Sequence, residues 1–501
     1  MSKKQVALIV LDGWGYREEK KDNAIAEAKK PNFDRLWQTC PHSLLEASGE
    51  SLGLPKGQIG NSELGHTTIG AGRIVEQDYV RISKEIESHQ FQKKLEFQEL
   101  FEHVKKHDSS LHVAGLLSPG GIHSHMNHLF EFLKLAKENN INKIIIHVFT
   151  DGRDTPPQSG AEYIKELENL IKELGVGKIA TVSGRLYAMD RDKRWERLAK
   201  TENTMFLAKP ALCHTKPSAY VEELYKKEEV DEKLTPFACV DTEGKTYVIE
   251  KNDGIFFFNF RPDRMRMITQ KMIEKETELN LYILTMTDYG KEYKTHIVYH
   301  PVKIESTLGK TISENGLNQA HIAETEKFAH ATYFLNCGRE TPYPNEKDIL
   351  VPSPQEVLTY DLAPKMSAEK VADRAIEEIN NDTDFIFVNF ANADMVGHTA
   401  NQPAIIIAIE EIDKELGRIL EAMNKKGGIT IVTADHGNAE INIDQTTGAK
   451  CTAHTLSPVP FIISGISGSL SNGTLADIAP TLLQIMNISI PKEMTGKNLL
   501  N

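Results

Sequence analysis

The sequence predicts an α/β protein with mainly parallel sheets, divided into two domains. Three observations carry this. The chain has 501 residues, too many for one hydrophobic core. Strand-like runs alternate with helical patterns, the signature of α/β architecture. The runs are also nearly continuous in β-branched and aromatic residues, as expected where helices cover both sheet faces. In order, 6–11 runs into Asp12, 111–117 into Ser118-Pro119-Gly120-Gly121 and His123, and 143–150 into Asp151, Arg153 and Asp154. Further on, 179–183 meets Arg185, 255–260 meets Arg261, 385–390 runs towards Asp394, and 429–434 into Asp435-His436. Between the last two, apolar residues at 405, 409, 412, 416, 419 and 423 keep a helical period that stops at Gly427-Gly428. Open parallel sheets bind ligands beyond the carboxyl ends of their strands, which is where these polar residues fall.

Composition narrows the function. The chain is 40% hydrophobic and 26% charged, ordinary for a soluble globular protein. A formal net charge of -13 argues against general nucleic-acid binding, and any anionic substrate then needs a local basic cluster. Five scattered cysteines without a C-x-x-C pair fit free thiols in a reducing compartment. The apolar run at 6–11 is too short for a secretory signal, and no stretch approaches the ~20 residues needed to span a bilayer. The expectation is a cytoplasmic protein without membrane association.

Motif type separates along the chain. Asp12, Ser62, Asp394, His398, Asp435, His436 and His454 lie towards the two ends, whereas His123, Arg153, Asp154, Arg185, Arg191, Arg261 and Arg264 lie in the middle. A site drawing on residues 12 and 454 needs both termini in one domain. We therefore expect a domain of 1–76 plus 311–501, with an inserted α/β domain over 77–310.

In the terminal segments, three carboxylates (Asp12, Asp394, Asp435) and three imidazoles (His398, His436, His454) occur without a thiolate. That donor set suits Mn²⁺ or Zn²⁺ and excludes an iron–sulfur site. Ser62 lies in Gly60-Asn61-Ser62-Glu63-Leu64-Gly65-His66, where the residues from Leu64 read as a helix start. Two readings of Ser62 stand: an N-cap, or a nucleophile whose hydroxyl pKa a bound divalent cation lowers.

These segments have a specific resemblance. Leu11-Asp12-Gly13-Trp14-Gly15, the Gly60–His66 segment, Asp394-Met395-Val396-Gly397-His398-Thr399 and Thr433-Ala434-Asp435-His436-Gly437-Asn438-Ala439-Glu440 resemble the motifs of the 2,3-bisphosphoglycerate-independent phosphoglycerate mutases, in the alkaline phosphatase superfamily. The resemblance runs over nearly the whole chain and implies an alkaline-phosphatase-like domain interrupted by a substrate-binding domain. It implies one metal at Asp12, Ser62, Asp435 and His436 and another at Asp394, His398 and His454. Two Mn²⁺ are the expected ions, with Zn²⁺ as the alternative and no 2,3-bisphosphoglycerate. It also implies a monomer that interconverts 3-phosphoglycerate and 2-phosphoglycerate through a phosphoserine at Ser62, with domain closure excluding water.

The middle carries the basic cluster that the net charge calls for. Guanidinium forks suit phosphate and carboxylate. The resemblance assigns His123, Arg153, Asp154, Arg185, Arg191, Arg261 and Arg264 to phosphoglycerate, with Asp154 as acid/base. It also matches Lys327 to a lysine that reaches the phosphoryl group. Cys337 stands where the family usually has Gly, Leu456-Ser457 where Thr-Asn is common, and Arg264-Met265-Arg266-Met267 is a variant. A hydrolase of the same superfamily shares the end motifs but not the His123, Asp154 and arginine set. A silent phosphoglycerate-binding scaffold would have no need of Ser62 and all six Asp and His residues.

Overall fold

The computed structural model describes residues 4–209, 211–241, 243–444 and 447–501. It divides into two compact units, one holding the chain up to Gln77 with Lys303–Asn501, the other Asp78–Val302. The second crossing lies ahead of position 310. Thr307 caps the helix Leu308–Glu314, and Leu308 and Ile312 are buried in the core of the first unit.

In the first unit the described residues form an eight-stranded sheet. Its order is Glu346–Val351, Gln319–Glu324, Phe385–Phe390, Val6–Leu11, Ile429–Thr433, Val459–Ser464, His42–Glu46, Gly473–Thr474. The first five strands are parallel, and Val459–Ser464 runs antiparallel to both its neighbours. Val6–Leu11 and Phe385–Phe390 are buried at every position, which accounts for a character that is apolar throughout in the first and broken only by Asn389 in the second. The helix Gln402–Lys426 buries Ile405, Ile409, Ile412, Leu416, Ile419 and Met423, the positions its periodicity marks, and ends on Gly427 at φ 65°. Only a residue tolerant of left-handed backbone closes a helix this way without strain.

The second unit has its own eight-stranded sheet. Its order is His296–Tyr299, Tyr282–Thr287, Gly254–Phe257, Leu111–Leu116, Ile144–Thr150, Lys178–Gly184, Phe237–Cys239, Ala211–Cys213. It is parallel except where Lys178–Gly184 meets Phe237–Cys239. Gly254–Phe257 is shorter than the apolar run at 255–260. Beyond Phe257 the chain leaves the ladder, so that Asn259 Oδ1 accepts from the Leu116 amide and the Phe260 amide donates to the His123 carbonyl. Among the described residues no helix is long and apolar enough to cross a membrane.

Candidate active site

The first site stands beyond the carboxyl ends of three adjacent strands, Phe385–Phe390, Val6–Leu11 and Ile429–Thr433. They deliver Asp394, Asp12 and Asp435-His436 in turn. Gly13 turns the chain at φ +76°, and a Cβ there would lie 2.7 Å from the Asp394 Cα. Its amide donates to Asp435 Oδ1 at 3.2 Å. A side chain at position 13 would therefore push two of the carboxylates apart.

Ser62 opens the helix Ser62–Ala71, but it is not the cap. Asn61 takes that place, its side chain accepting from the Leu64 amide at 3.0 Å. The Ser62 hydroxyl is thereby free for the strand ends. Its Oγ lies 2.8 Å from His436 Nε2 and 3.3 Å from Asp12 Oδ1, and it accepts from Lys327 Nζ at 2.7 Å. Lys327 also donates to Asp12 Oδ1 and Asp394 Oδ2, each at 2.6 Å. It comes from the short helix Thr325–Ala329, directly after the strand Gln319–Glu324.

A second cluster adjoins this one through Asp394. Asp394 Oδ1 lies 3.3 Å from His398 Nε2 and 3.2 Å from His454 Nε2, and the two imidazoles are 3.2 Å apart. The outer nitrogens are anchored, His398 Nδ1 on the Thr452 carbonyl and His454 Nδ1 on the Gly60 carbonyl. Each ring therefore turns its Nε2 towards Asp394, the arrangement that supporting hydrogen bonds give to metal-binding histidines.

The electrostatics test whether cations fit. Asp12, Asp394 and Asp435 are buried, with one ammonium, Lys327, among them. Burial alone would lower the Lys327 pKa, but the Asp12 and Asp394 carboxylates overcome it and hold the amine above its ordinary range. Burial pushes Asp12 and Asp394 up, but Lys327 together with the neighbouring imidazoles keeps both below theirs. Asp435 is left over: burial, then the Asp12 charge, raise it to about 6, and its Oδ2 has no hydrogen-bond partner among the described residues. Three buried carboxylates against one ammonium leave negative charge that costs several kcal/mol without further cations. The oxygen and imidazole donors suit divalent ions.

Sequence reasoning assigned no role to His66, Asn389 or Asn438. His66 Nδ1 approaches the Ser62 carbonyl at 2.8 Å, and Asn389 Nδ2 donates to Asp12 Oδ2 at 2.9 Å. Asn438 Nδ2 donates to Asp394 Oδ1 at 2.9 Å. Glu440 accepts from the amides of Gly15 and Asn438, tying the first strand's loop to the loop after Ile429–Thr433. Asn389 left a trace in the sequence, as the only polar residue of the run Phe385–Phe390.

In the second unit, the loops after Gly254–Phe257, Leu111–Leu116, Ile144–Thr150 and Lys178–Gly184 bring the expected basic residues together. Arg185 Nη1 donates to Asp151 Oδ1 at 2.5 Å and Asp154 Oδ2 at 2.6 Å. Asp263 accepts from Arg191 and Arg261, each at 3.0 Å. His123 is buried, with Nε2 4.0 Å from Asp154 Oδ2 and Nδ1 3.8 Å from Asp263 Oδ1. Burial, then the Arg185 charge, depress its pKa to about 4, so it faces this cluster as a neutral ring. Arg153 is exposed, 3.4 Å from Glu232, and Arg264 donates to the Met189 carbonyl. Arg264 is destabilised as a cation by burial and then by Arg185, Arg191 and Arg153. Arg185, Arg191 and Arg261 pair with Asp151, Asp154 and Asp263, and Arg153 with Glu232, which leaves Arg264, bonded to a carbonyl, as the cation that an anion would relieve.

Cys337 adopts φ 53°, left-handed backbone that explains a preference for glycine there, and burial pushes its thiol up to about 12. Leu456 is half exposed, and Arg266 Nε donates to the Tyr289 carbonyl.

Comparison with known proteins identifies the family. Residues 4–490 match the Metalloenzyme superfamily. The chain is 46% identical over 511 residues to the 2,3-bisphosphoglycerate-independent phosphoglycerate mutase of Acetivibrio thermocellus, covering both chains fully. It is 47% identical over 510 residues, again at full coverage, to that of Clostridium acetobutylicum. A solved structure of Leishmania mexicana phosphoglycerate mutase, obtained at low cobalt concentration, is similar at TM-score 0.61 and 27% identity, covering 100% of this chain and 98% of that one. The chain belongs to the 2,3-bisphosphoglycerate-independent phosphoglycerate mutase family of the metalloenzyme superfamily.

Proposed function

We propose that the mutase reaction of this family, the interconversion of 3-phosphoglycerate and 2-phosphoglycerate, runs in this chain through Ser62. The observation that carries the reading is the setting of the Ser62 hydroxyl, which meets Lys327, His436 and Asp12 at 2.7, 2.8 and 3.3 Å. Ser62 Oγ attacks phosphorus as the bond to the glycerate oxygen breaks, and its proton faces Asp12 Oδ1. The other glycerate hydroxyl then attacks the phosphoserine, and Ser62 is regenerated. Lys327 neutralises charge on the transferring group, which is most of what phosphoryl transfer asks of a protein.

Asp12, Asp435 and His436, with Ser62, would hold one divalent cation, and Asp394, His398 and His454 the other. Bound there, the cations would supply Lewis-acid charge and lower the pKa of the serine hydroxyl. Mn²⁺ is the ion we favour, with Zn²⁺ the alternative. His123, Arg153, Arg185, Arg191, Arg261 and Arg264 would bind the carboxylate and phosphate of phosphoglycerate, and Asp154 would carry protons to and from the glycerate oxygens. The reading includes a monomer in a reducing, cytoplasmic setting, in keeping with five free cysteines.

A coupled assay from 3-phosphoglycerate, without bisphosphoglycerate, tests the reading directly. Turnover is expected with Mn²⁺ and should vanish on exhaustive chelation. Release of inorganic phosphate in place of 2-phosphoglycerate would make the chain a phosphatase.

A further inference from the structure

One edge of the first sheet gathers a second set of ionisable side chains. In the parallel pair Gln319–Glu324 and Glu346–Val351, Gln319 stands opposite Glu346 and His321 opposite Asp348. Strand alternation puts all four side chains on one face. The group is separate from the Ser62 centre, since the Phe387 ring packs against both His66 and His321.

His321 Nδ1 lies 3.6 Å from Glu346 Oε1 and 4.0 Å from Asp348 Oδ1. The His321 and Glu346 side chains are 1% and 0% exposed. The tautomer follows from the neighbours. Gln319 Nε2 donates to the Gly309 carbonyl at 2.8 Å, so its Oε1 faces His321 Nε2, at 3.3 Å, as an acceptor. The ring proton therefore sits on Nε2, and Nδ1 keeps a lone pair. Burial holds the ring neutral, with a pKa of about 4, against the opposing pull of the Ala331 carbonyl. His321 Nδ1 and Asp348 Oδ1 are buried atoms for which the described residues provide no hydrogen bond of ordinary geometry. Glu346 is fixed by the Asn336 amide at 2.6 Å on Oε1 and the Tyr343 amide at 3.2 Å on Oε2. The His321 Nδ1 lone pair and the two carboxyl groups thus crowd one buried spot, where a proton held by Glu346 towards Asp348 relieves the repulsion unless a cation takes its place.

We propose that His321, Glu346 and Asp348 form a structural binding site for a divalent cation of the zinc and manganese class. One imidazole nitrogen and two carboxylates are donors such ions take. The bound ion would clamp the edge strand Glu346–Val351 to its neighbour. A proton is the competing occupant, because burial, then the Asp348 charge, raise Glu346 to about 7. Cation binding expels that proton and strengthens as pH rises.

The test takes the full chain with Zn²⁺ as probe. After equilibrium dialysis, metal analysis should find one more zinc per chain in wild type than in Glu346→Gln or Asp348→Asn, with circular dichroism verifying their folds. Equal zinc content in all three overturns the site and leaves the shared proton as its occupant. Should the variants fail to fold, wild-type crystals grown with Zn²⁺ decide. An anomalous peak about 2.0–2.1 Å from His321 Nδ1 supports the site, and its absence overturns it.

Discussion

Lys327 Nζ stands 2.7 Å from Ser62 Oγ while donating to both Asp12 and Asp394, so one ammonium joins the hydroxyl to two of the three buried carboxylates. Its charge therefore stabilises the resting centre, beside the role proposed for it on the transferred group. Replacing it with an apolar side chain leaves all three carboxylates uncompensated. In Lys327→Met the chelated protein should lose roughly 3–5 kcal/mol, the cost of breaking a buried ion pair. Mn²⁺ should restore most of that stability. Turnover should stay down by roughly 10²–10³-fold even with metal, the usual loss for one stabilising donor. Denaturant titrations with chelator and with Mn²⁺, beside the coupled assay, separate the two effects. A variant equally stable under both conditions would show that Lys327 does not balance the carboxylates.

Ser62→Ala removes the oxygen proposed to attack phosphorus and little else. Lys327 keeps its two carboxylates, and the imidazoles keep their carbonyl anchors. Stability should fall by no more than about 1.5 kcal/mol, the scale of one hydrogen bond. Turnover should disappear while the carboxylate and imidazole donors still bind metal. Metal analysis and mass spectrometry after incubation with phosphoglycerate give the check, since phosphoserine should form in wild type alone.

The buried histidines set an acid limit on stability. His128 is buried, with Nε2 2.9 Å from Ser83 Oγ, and burial lowers its pKa from 6.5 to about 3. His147, between His112 and Thr181, is also held well below its usual range by burial. Below pH 6.5 the unfolded chain binds protons that these folded rings refuse. Their contribution is thus present above pH 6.5 and is lost as pH falls towards about 3. Each such ring contributes a slope of up to about 1.4 kcal/mol per pH unit. His128→Gln should make the decline between pH 6.5 and 4 shallower, measured by denaturant midpoints across that range. A slope identical to wild type would mean His128 is already protonated in the fold.

Much of this centre was legible because its residues sit where the apolar runs stop. Asp12, Asp435 and His436 follow strands directly, and the spacing of Asp394 and His398 matches one helical turn. Lys327 came only through resemblance, since nothing local to Thr325–Ala329 distinguishes a buried lysine from a surface one. Asn61 displaced Ser62 as helix cap because either side chain can cap, and only the fold decides which amide lies in reach. The group at His321, Glu346 and Asp348 could not be read from the sequence. It depends on the register between two strands, and a shift of one residue would turn it to the opposite face.

Asp154→Asn should separate proton transfer from phosphoryl transfer. Asp154 Oδ2 accepts from Arg185 at 2.6 Å and lies 4.0 Å from His123 Nε2, within the arginine cluster of the second unit. Arg185 keeps its bond to Asp151 when Asp154 changes, and the bond that the residue 154 amide donates to Asp151 Oδ1 does not involve the Asp154 side chain, so the fold should survive. Glycerate oxygens are poor leaving groups and need a proton on departure, whereas an aryl phosphate leaves with little such help. Mutase turnover in Asp154→Asn should therefore fall by roughly 10²–10⁴-fold, the span for a lost general acid or base. Phosphoryl transfer from an aryl ester to Ser62 should continue near the wild-type rate, while Ser62→Ala loses both reactions. Equal loss on both substrates in Asp154→Asn would assign the residue to maintaining the fold or the metal centre. No loss on either would remove Asp154 from the reaction and leave His123 and the arginines as the second unit's whole contribution.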